Sequence, residues 1–290
     1  MKQLFKKNNI GWIFIIISVI AIALFYFYPM IDALFLSFQS GMGATLTFTG
    51  LDNWKRLFND PTFIAALINT VTYLIVQVPV MILLALLFSS LLNDQTLKFR
   101  GFFRTAIFLP AVTSLVAYSV IFKYMFSGDG IANQFLMNLS IVSDPINFLS
   151  DPFWAKITII LAITWRWTGY NMIFYLSALQ NIDRSIYEAA KIDGASSLQQ
   201  FLKITIPMLK PIILFTTITS TIGTLQIFDE VVNITGGGPG NSTISISQYI
   251  FDLSFKYTPD FGYAATVAYV IVILVVILST LQFRLAGDKK

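Results

Sequence analysis

The chain has 290 residues, 12% of them charged and 56% hydrophobic, with 27 Phe and a net charge of +4; its mean hydropathy is +0.73. Soluble domains carry about 25% charged residues, so a soluble fold of this size is excluded and the chain reads as an integral membrane protein. With no Cys and no His, thiol and imidazole catalysis, Ser–His–Asp triads, zinc fingers and disulfide frameworks are excluded as well.

Six charge-poor runs match the ~20 residues a helix needs to cross a bilayer. The first, 10–31, follows Lys2, Lys6 and Lys7 and ends in the aromatic run 25–28 before Pro29. It is too long for a signal peptide and no small-residue cleavage site follows, so it reads as an uncleaved first helix. The second, 63–92, has room for a tilted helix. The third is 104–123. The fourth, 157–182, is interrupted only by Arg166. The fifth, 211–228, is short and rich in Thr, and the sixth is 261–283. The runs are continuous rather than alternating, which predicts an all-α polytopic membrane protein with six transmembrane helices in a single domain over 1–290, and no barrel.

Lys and Arg set the orientation. Lys2, Lys6, Lys7, Lys98, Arg100, Arg104, Arg184, Lys191, Lys203, Lys210, Arg284, Lys289 and Lys290 fall in one set of segments; Lys55, Arg56, Lys123, Lys156 and Lys256 fall in the other. Thirteen against five puts both termini in the cytoplasm. The basic residues are scattered rather than striped, so the excess reports orientation and not nucleic acid.

Between the fourth and fifth runs lies a cytoplasmic loop, 183–210. Helix formers over 185–192, with Glu188 in the expected first turn, predict a short helix. Gly194 permits a reversal. Ser196 or Ser197 can cap a second helix, which Pro207 is expected to end before the membrane is re-entered. The outer loop 229–260 contains the Gly-rich stretch 236–243. It lacks the Gly-x4-Gly-Lys-Ser/Thr pattern, and is read as a turn rather than a phosphate loop.

The loop residues Glu188, Ala189 and Ala190, then Gly194, Ile204 and Pro207, resemble the Glu-Ala-Ala…Gly…Ile-x-Leu-Pro signature of binding-protein-dependent ABC importer permeases. Ile206 in place of Leu is the only departure. Gly50, Leu51, Asn53 and Trp54, the Trp165–Met172 run and the Thr235-Gly-Gly-Gly-Pro239 loop are similar to the carbohydrate-uptake branch of that family, and to its maltose-type and glycerol-phosphate-type first permease subunit. The resemblance implies a permease without its own ATPase and no cofactor on this chain, with ATP and Mg on a partner. It implies a sister permease forming a heterodimer, a dimer of cytosolic ATP-binding subunits and an extracytoplasmic solute-binding protein, in a bacterial-type cell membrane. It further implies an ATPase-coupling segment made of Glu188, Ala189, Ala190, Asp193, Gly194 and Pro207, in which Glu188 meets a basic residue of the ATPase.

Sugars are held by aromatic faces and by short polar groups. Trp165, Trp167, Tyr170 and Asn171 on the fourth run, and Ser220, Thr224 and Gln226 on the fifth, are the expected substrate-pathway residues; the resemblance to the maltose-type permease adds Gly169 and implies that Met172 and Ile227 fall beside them. The same residue types also serve as interface anchors and helix glue. Arg166 is the one formal charge in the interior of a run, where the default reading is that it faces a cavity or a partner rather than lipid. Asp229 or Glu230 is a candidate counter-charge, and a purely structural ion pair or snorkelling to the outer surface is the equal alternative. An anionic cargo such as glycerol phosphate is the alternative that would use Arg166. An ion-coupled secondary transporter is a second alternative, disfavoured because no acid falls within a predicted span.

Overall fold

A computed structural model describes residues 10–41 and 45–286. Lys2, Lys6, Lys7, Lys289 and Lys290 of the orientation count lie outside them. The chain forms two compact units, Met1–Asp60 with Ile250–Val270 and Pro61–Tyr249 with Ile271–Lys290.

In the first unit, α1 (Ile10–Ile22) passes through a π-helical turn, Ala23–Phe27, into α2 (Tyr28–Leu36). The Tyr28 N–H bonds the Ala23 carbonyl five residues back. That wider turn relieves the clash the ring of Pro29 would otherwise make with the carbonyl four residues before it. The helix therefore continues, and Ile15–Leu36 is one apolar span. A two-residue hairpin follows, β1 (Gln39–Ser40) antiparallel to β2 (Thr47–Phe48). At the start of α3 (Asp52–Leu57), Asn53 Nδ2 donates to the Ser37 and Gln39 carbonyls at 3.1 and 2.8 Å. Arg56 pairs with Asp260 at 2.7 Å and lies 3.8 Å over the Tyr263 ring, whose hydroxyl donates to Asp60 at 2.7 Å.

The second unit runs through α4 (Pro61–Asn93), α5 (Arg100–Val112), α6 (Leu115–Met125), α7 (Ile131–Asn138), α8 (Pro152–Leu179), α9 (Arg184–Ile192), α10 (Ser197–Gln200), α11 (Ile206–Leu225) and α12 (Asp229–Ile234). Two further helices, α13 (Ile246–Phe251) and α14 (Phe261–Ala286), follow in the chain and are shared between the two units. At the centre of the second unit is α8, packed along α4, α5 and α11. Ala85, Leu86, Met172, Tyr175, Leu179 and Leu209 form an apolar cluster there, pinned by a 2.6 Å bond between Tyr175 Oη and Thr216 Oγ1.

Two sequence expectations change. The third run, 104–123, is not one straight helix: α5 and α6 meet at 102°. Thr113 is extended (φ −75°, ψ 155°) and Ser114 caps α6 by accepting from the Ala117 N–H, while Pro110 weakens the last turn of α5. The fifth run begins earlier than 211, because Ser197–Leu225 is one continuous helical stretch. Pro207 does not end a helix; it sits in the first turn of α11. The π-helical turn Phe201–Thr205 precedes it, and the Ile206 N–H bonds the Phe201 carbonyl. This is the device used at Pro29.

Among the described residues, four helices are long and apolar enough to cross a membrane, or five when the bent pair α5–α6 counts as one span. The fourth run forms a helix of 28 residues, α8, which is not among the four. It carries its polar residues inward: Thr158, Thr164, Arg166, Thr168 and Asn171 are all buried.

Candidate functional site

Two features of the second unit combine chemistry with exposure. One is the 183–210 segment. Asp183 caps α9, its Oδ1 accepting from the Ser185 N–H at 3.0 Å, and that bond holds its carboxyl below the usual carboxylate range. Glu188 therefore lies in the second turn rather than the first. Gly194 reverses the chain at φ +83°, a left-handed conformation that disfavours any side chain with a Cβ. A capping box opens α10: Ser196 Oγ accepts from Gln199 N at 3.3 Å and Gln199 Oε1 from Ser196 N at 2.8 Å. Tyr187 ties α9 to the base of α11 through Thr205 Oγ1 at 3.0 Å. Glu188, Ala189, Asp193, Gly194 and Pro207 are exposed and Ala190 half-exposed. Ile192 is 87% exposed and Leu198 66%, an apolar surface on a segment whose backbone is fully capped.

The other feature is a cavity of about 330 Å³ between α4, α8, α11 and the start of α12. Trp167 and Tyr170 line one part with their rings edge to face, centroids 5.5 Å apart. Ser220, Thr224 and Gln226 line another. Five of the eight expected pathway residues thus meet in one cavity, and Ile227 joins them. The other three stand elsewhere. Trp165 packs its ring on Phe122 and Tyr118, at 5.4 and 6.4 Å between centroids. At Gly169 a Cβ would lie 2.0 Å from the Ile107 carbonyl oxygen, so this glycine is where α5 and α8 touch. Asn171 is buried and donates to the Trp167 carbonyl at 2.9 Å and to Met81 Sδ at 3.3 Å. Met172 is fully buried in the apolar cluster beneath.

Sequence reading missed Gln77, Asp229 and Glu230 in the cavity wall. Thr224 Oγ1 donates to Gln77 Oε1 at 2.9 Å, which fixes the amide against α11. Glu230 is 5% exposed and accepts from Tyr118 Oη at 2.5 Å. Two acids and no Lys or Arg line the cavity.

Arg166 is not paired with Asp229 or Glu230, its candidate counter-charges; its role is structural. Its Nη1 donates to the Pro110 and Thr113 carbonyls at 3.1 and 2.8 Å, and its Nη2 to the Ala111 carbonyl at 3.2 Å; its guanidinium carbon stands 4.8 Å from the Tyr118 ring centroid. A cation here satisfies the orphan carbonyls at the C-terminus of α5 and complements its dipole. The Gly-rich loop is a closed turn, with Gly236, Gly237 and Gly240 at positive φ. Asn69 Nδ2 donates to the Asn241 and Ile244 carbonyls, both at 3.0 Å, and holds it to α4.

Known proteins share this architecture. The lactose transport system permease protein LacF of Rhizobium radiobacter is 58% identical over 292 aligned positions, covering 100% of this chain and 97% of that protein. The arabinooligosaccharides transport system permease protein AraP of Halalkalibacterium halodurans is 38% identical, covering 91% and 83%. Among solved structures, a bacterial ABC transporter involved in the import of the acidic polysaccharide alginate superposes over 100% of this chain with a TM-score of 0.84 at 23% identity, which is a likeness of fold. Residues 97–288, from the basic start of α5 through the capped 183–210 segment and the cavity, match the family described as binding-protein-dependent transport system inner membrane component, and the chain belongs to that family.

Proposed function

We infer that this sugar ABC importer permease subunit builds half of a translocation path for a neutral oligosaccharide and couples through 183–210 to a separate ATPase. The observation that carries the cargo class is the cavity wall. Aromatic faces at Trp167 and Tyr170 share the wall with the hydroxyls and amide of Ser220, Thr224 and Gln226, and Asp229 and Glu230 are its only carboxylic acids. Stacking surfaces with a few fixed polar groups suit a saccharide. No Lys or Arg lines the cavity to pair with a phosphate or uronate, and Arg166 is spent on α5 carbonyls. The glycerol-phosphate alternative thereby loses the residue that motivated it. The relatives LacF and AraP, named for lactose and arabinooligosaccharides, point to the same neutral class.

Coupling is supported by the exposed apolar residues Ile192 and Leu198 around Glu188 and Gly194. A capped, reversed helix with an apolar face is suited to the cleft of a partner. The partners that fit are a cytosolic ATPase dimer, which holds the ATP and Mg, a sister permease forming the other half of the path, and an extracytoplasmic solute-binding protein. Six spans result when α5–α6 is one broken span and α8 another. At 1.5 Å per residue α8 reaches about 42 Å, more than the ~30 Å hydrocarbon core, and its polar residues are protein-buried, where apolarity is not required. With thirteen of the basic residues on the side of the 183–210 segment, both termini are cytoplasmic.

The test is to purify the tagged chain with its associated subunits in mild detergent, identify stoichiometric partners by mass spectrometry, and reconstitute them with labelled lactose, an arabinooligosaccharide or glycerol phosphate. The expected result is an ATPase and a second permease co-purifying, with ATP-dependent uptake of a neutral sugar. Purification alone, or uptake without ATP, would overturn the coupling. Preferred uptake of glycerol phosphate would overturn the cargo class.

A further inference from the structure

A second cavity, of about 480 Å³, opens where α4 and α8 end and α5 and α9 begin. Its wall includes Arg100, Arg104 and Arg184 together with Asn93, Gln180 and Tyr187, and no carboxylate. The volume falls within the range of ligand sites, about 300–1,000 Å³. Three guanidiniums face one cavity whose lining holds no carboxylate; Asp94, outside that lining, lies within electrostatic reach of Arg100. Arg100 and Arg104 stand four residues apart on α5, the spacing at which like charges disfavour each other. Arg104 Nη2 donates to the Leu92 carbonyl at 2.8 Å, yet its Nε is buried without a hydrogen-bond partner, an unmet donor that an anion would satisfy. The acids nearest in sequence are committed to the backbone. Asp94 Oδ1 accepts from Thr96 N and Oγ1, both at 2.8 Å, and Asp183 Oδ1 caps α9.

We propose that this pocket binds the phosphate of an anionic lipid headgroup. Guanidiniums match phosphate oxygens bidentately, and the amides of Asn93 and Gln180 add neutral donors. The lipid source is favoured by what surrounds the arginines on α5. Phe99 is 79% exposed, Phe102 69% and Phe103 44%, and Lys98 is exposed beside them. Aromatic rings alternating with cations at the ends of apolar spans are the composition of a membrane interface, and basic pockets between spans recognise phospholipid headgroups there. An acidic segment of a protein would need the arginines but has no use for three exposed Phe.

The experiment uses the purified transporter complex in detergent, titrated with dioctanoyl phosphatidylglycerol, dioctanoyl phosphatidylcholine or inorganic phosphate. Native mass spectrometry counts adducts on this subunit and thermal unfolding reports stabilisation. The main variant is Arg100→Gln with Arg184→Gln, which keeps the bond from Arg104 to Leu92; its unfolding temperature without lipid shows whether the fold is intact. The expected result is a phosphatidylglycerol adduct at one site, at least tenfold weaker in the double variant, with phosphatidylcholine bound more weakly throughout. Equal phosphatidylglycerol binding by wild type and variant overturns the proposal. Inorganic phosphate binding as tightly as phosphatidylglycerol assigns the pocket to a soluble anion and overturns the lipid source. Loss of the ATPase from the variant with phosphatidylglycerol still bound assigns the arginines to a protein interface and overturns it as well. If the double variant unfolds, Arg184→Lys replaces it: a retained charge without the planar fork should still weaken the adduct, and undiminished binding overturns the proposal.

Discussion

Arg166 on α8 donates to the Thr113 carbonyl at 2.8 Å, across 53 residues of sequence and at the point where α5 breaks into α6. One guanidinium thus closes the helix end that the 102° bend leaves open. Glu230, one of the two acids offered as a counter-charge, is held instead by the Tyr118 hydroxyl at 2.5 Å. Arg166 therefore serves the fold, and no Lys or Arg lines the cavity.

Replacing Arg166 with Met should lower stability by at least the ~1.5–3 kcal/mol of one hydrogen bond to a charged group, since several carbonyls lose their donor together. Lys should restore only part of this, because a point charge cannot span three carbonyls as a planar fork does. Thermal unfolding of the purified complex measures the effect. An unchanged unfolding temperature with a raised KM for transport would return Arg166 to the substrate path.

Gly169→Ala tests the contact between α5 and α8. The new methyl would stand 2.0 Å from the Ile107 carbonyl oxygen and 2.8 Å from its carbon, both main-chain atoms with no rotamer to change. Separating the helices is the only remedy, and overpacking of this kind costs about 1–3 kcal/mol. The variant should therefore unfold at lower temperature even without cargo. Normal stability with a changed sugar preference would put this glycine back in the pathway.

What the sequence disclosed was local chemistry. Gly194, Ser196 and the helix over 185–192 followed from turn, cap and propensity rules that act within a few residues. The Ile15–Leu36 and Pro61–Asn93 spans followed from runs of apolar residues. The break at Thr113–Ser114 was hidden, because hydropathy registers composition and not chain direction. Pro207 was read as a terminator because the rule for proline is local; the π-helical turn that accommodates it depends on the Phe201 carbonyl being free for the Ile206 N–H. Gln77 was missed, and Glu230 was not placed in the cavity, because their partners, Thr224 and Tyr118, lie 147 and 112 residues away. Trp165 and Trp167 look equivalent in sequence, yet two residues on a helix turn about 200°, and only Trp167 reaches the cavity.

At Gly194 the strain is conformational alone, since no atom lies within 4 Å of an added Cβ. Gly194→Val should cost about 1–3 kcal/mol at φ +83°, enough to reset the turn between α9 and α10 while the spans insert normally. Uptake should be abolished and the ATPase should co-purify less. Wild-type uptake by this variant would remove the turn from coupling.

The cap at Asp183 predicts how coupling responds to acid. Its carboxyl is held below the ordinary range by the Ser185 N–H, so its contribution is fully present above the unfolded pKa, about 3.9, and is lost as pH falls through the folded value. Between pH 6 and 8 ATPase association should therefore not vary on account of this group. Asp183→Ala should weaken association at every pH in that range, and Asp183→Ser, which caps without a titrating group, should restore it. A wild-type dependence in that window that disappears in the Ser variant would show that the carboxylate acts through its charge on a partner rather than through the cap.

Trp167→Ala bears on the cavity itself. The ring lines the wall and meets Tyr170 edge to face at 5.5 Å, and it also lies against the Ile159, Ile163 and Val231 cluster. Removing it should reduce sugar uptake by tenfold or more, the equivalent of about 1.4 kcal/mol of lost interaction, with the subunits still co-purifying. Trp167→Phe keeps a face for the sugar C–H surface and should recover most of the rate. The two roles separate on one comparison: if Ala and Phe lower uptake only in proportion to the amount of assembled complex, the ring is a packing residue and the path runs elsewhere. A fall in uptake per assembled complex, larger for Ala than for Phe, places the cargo against this wall.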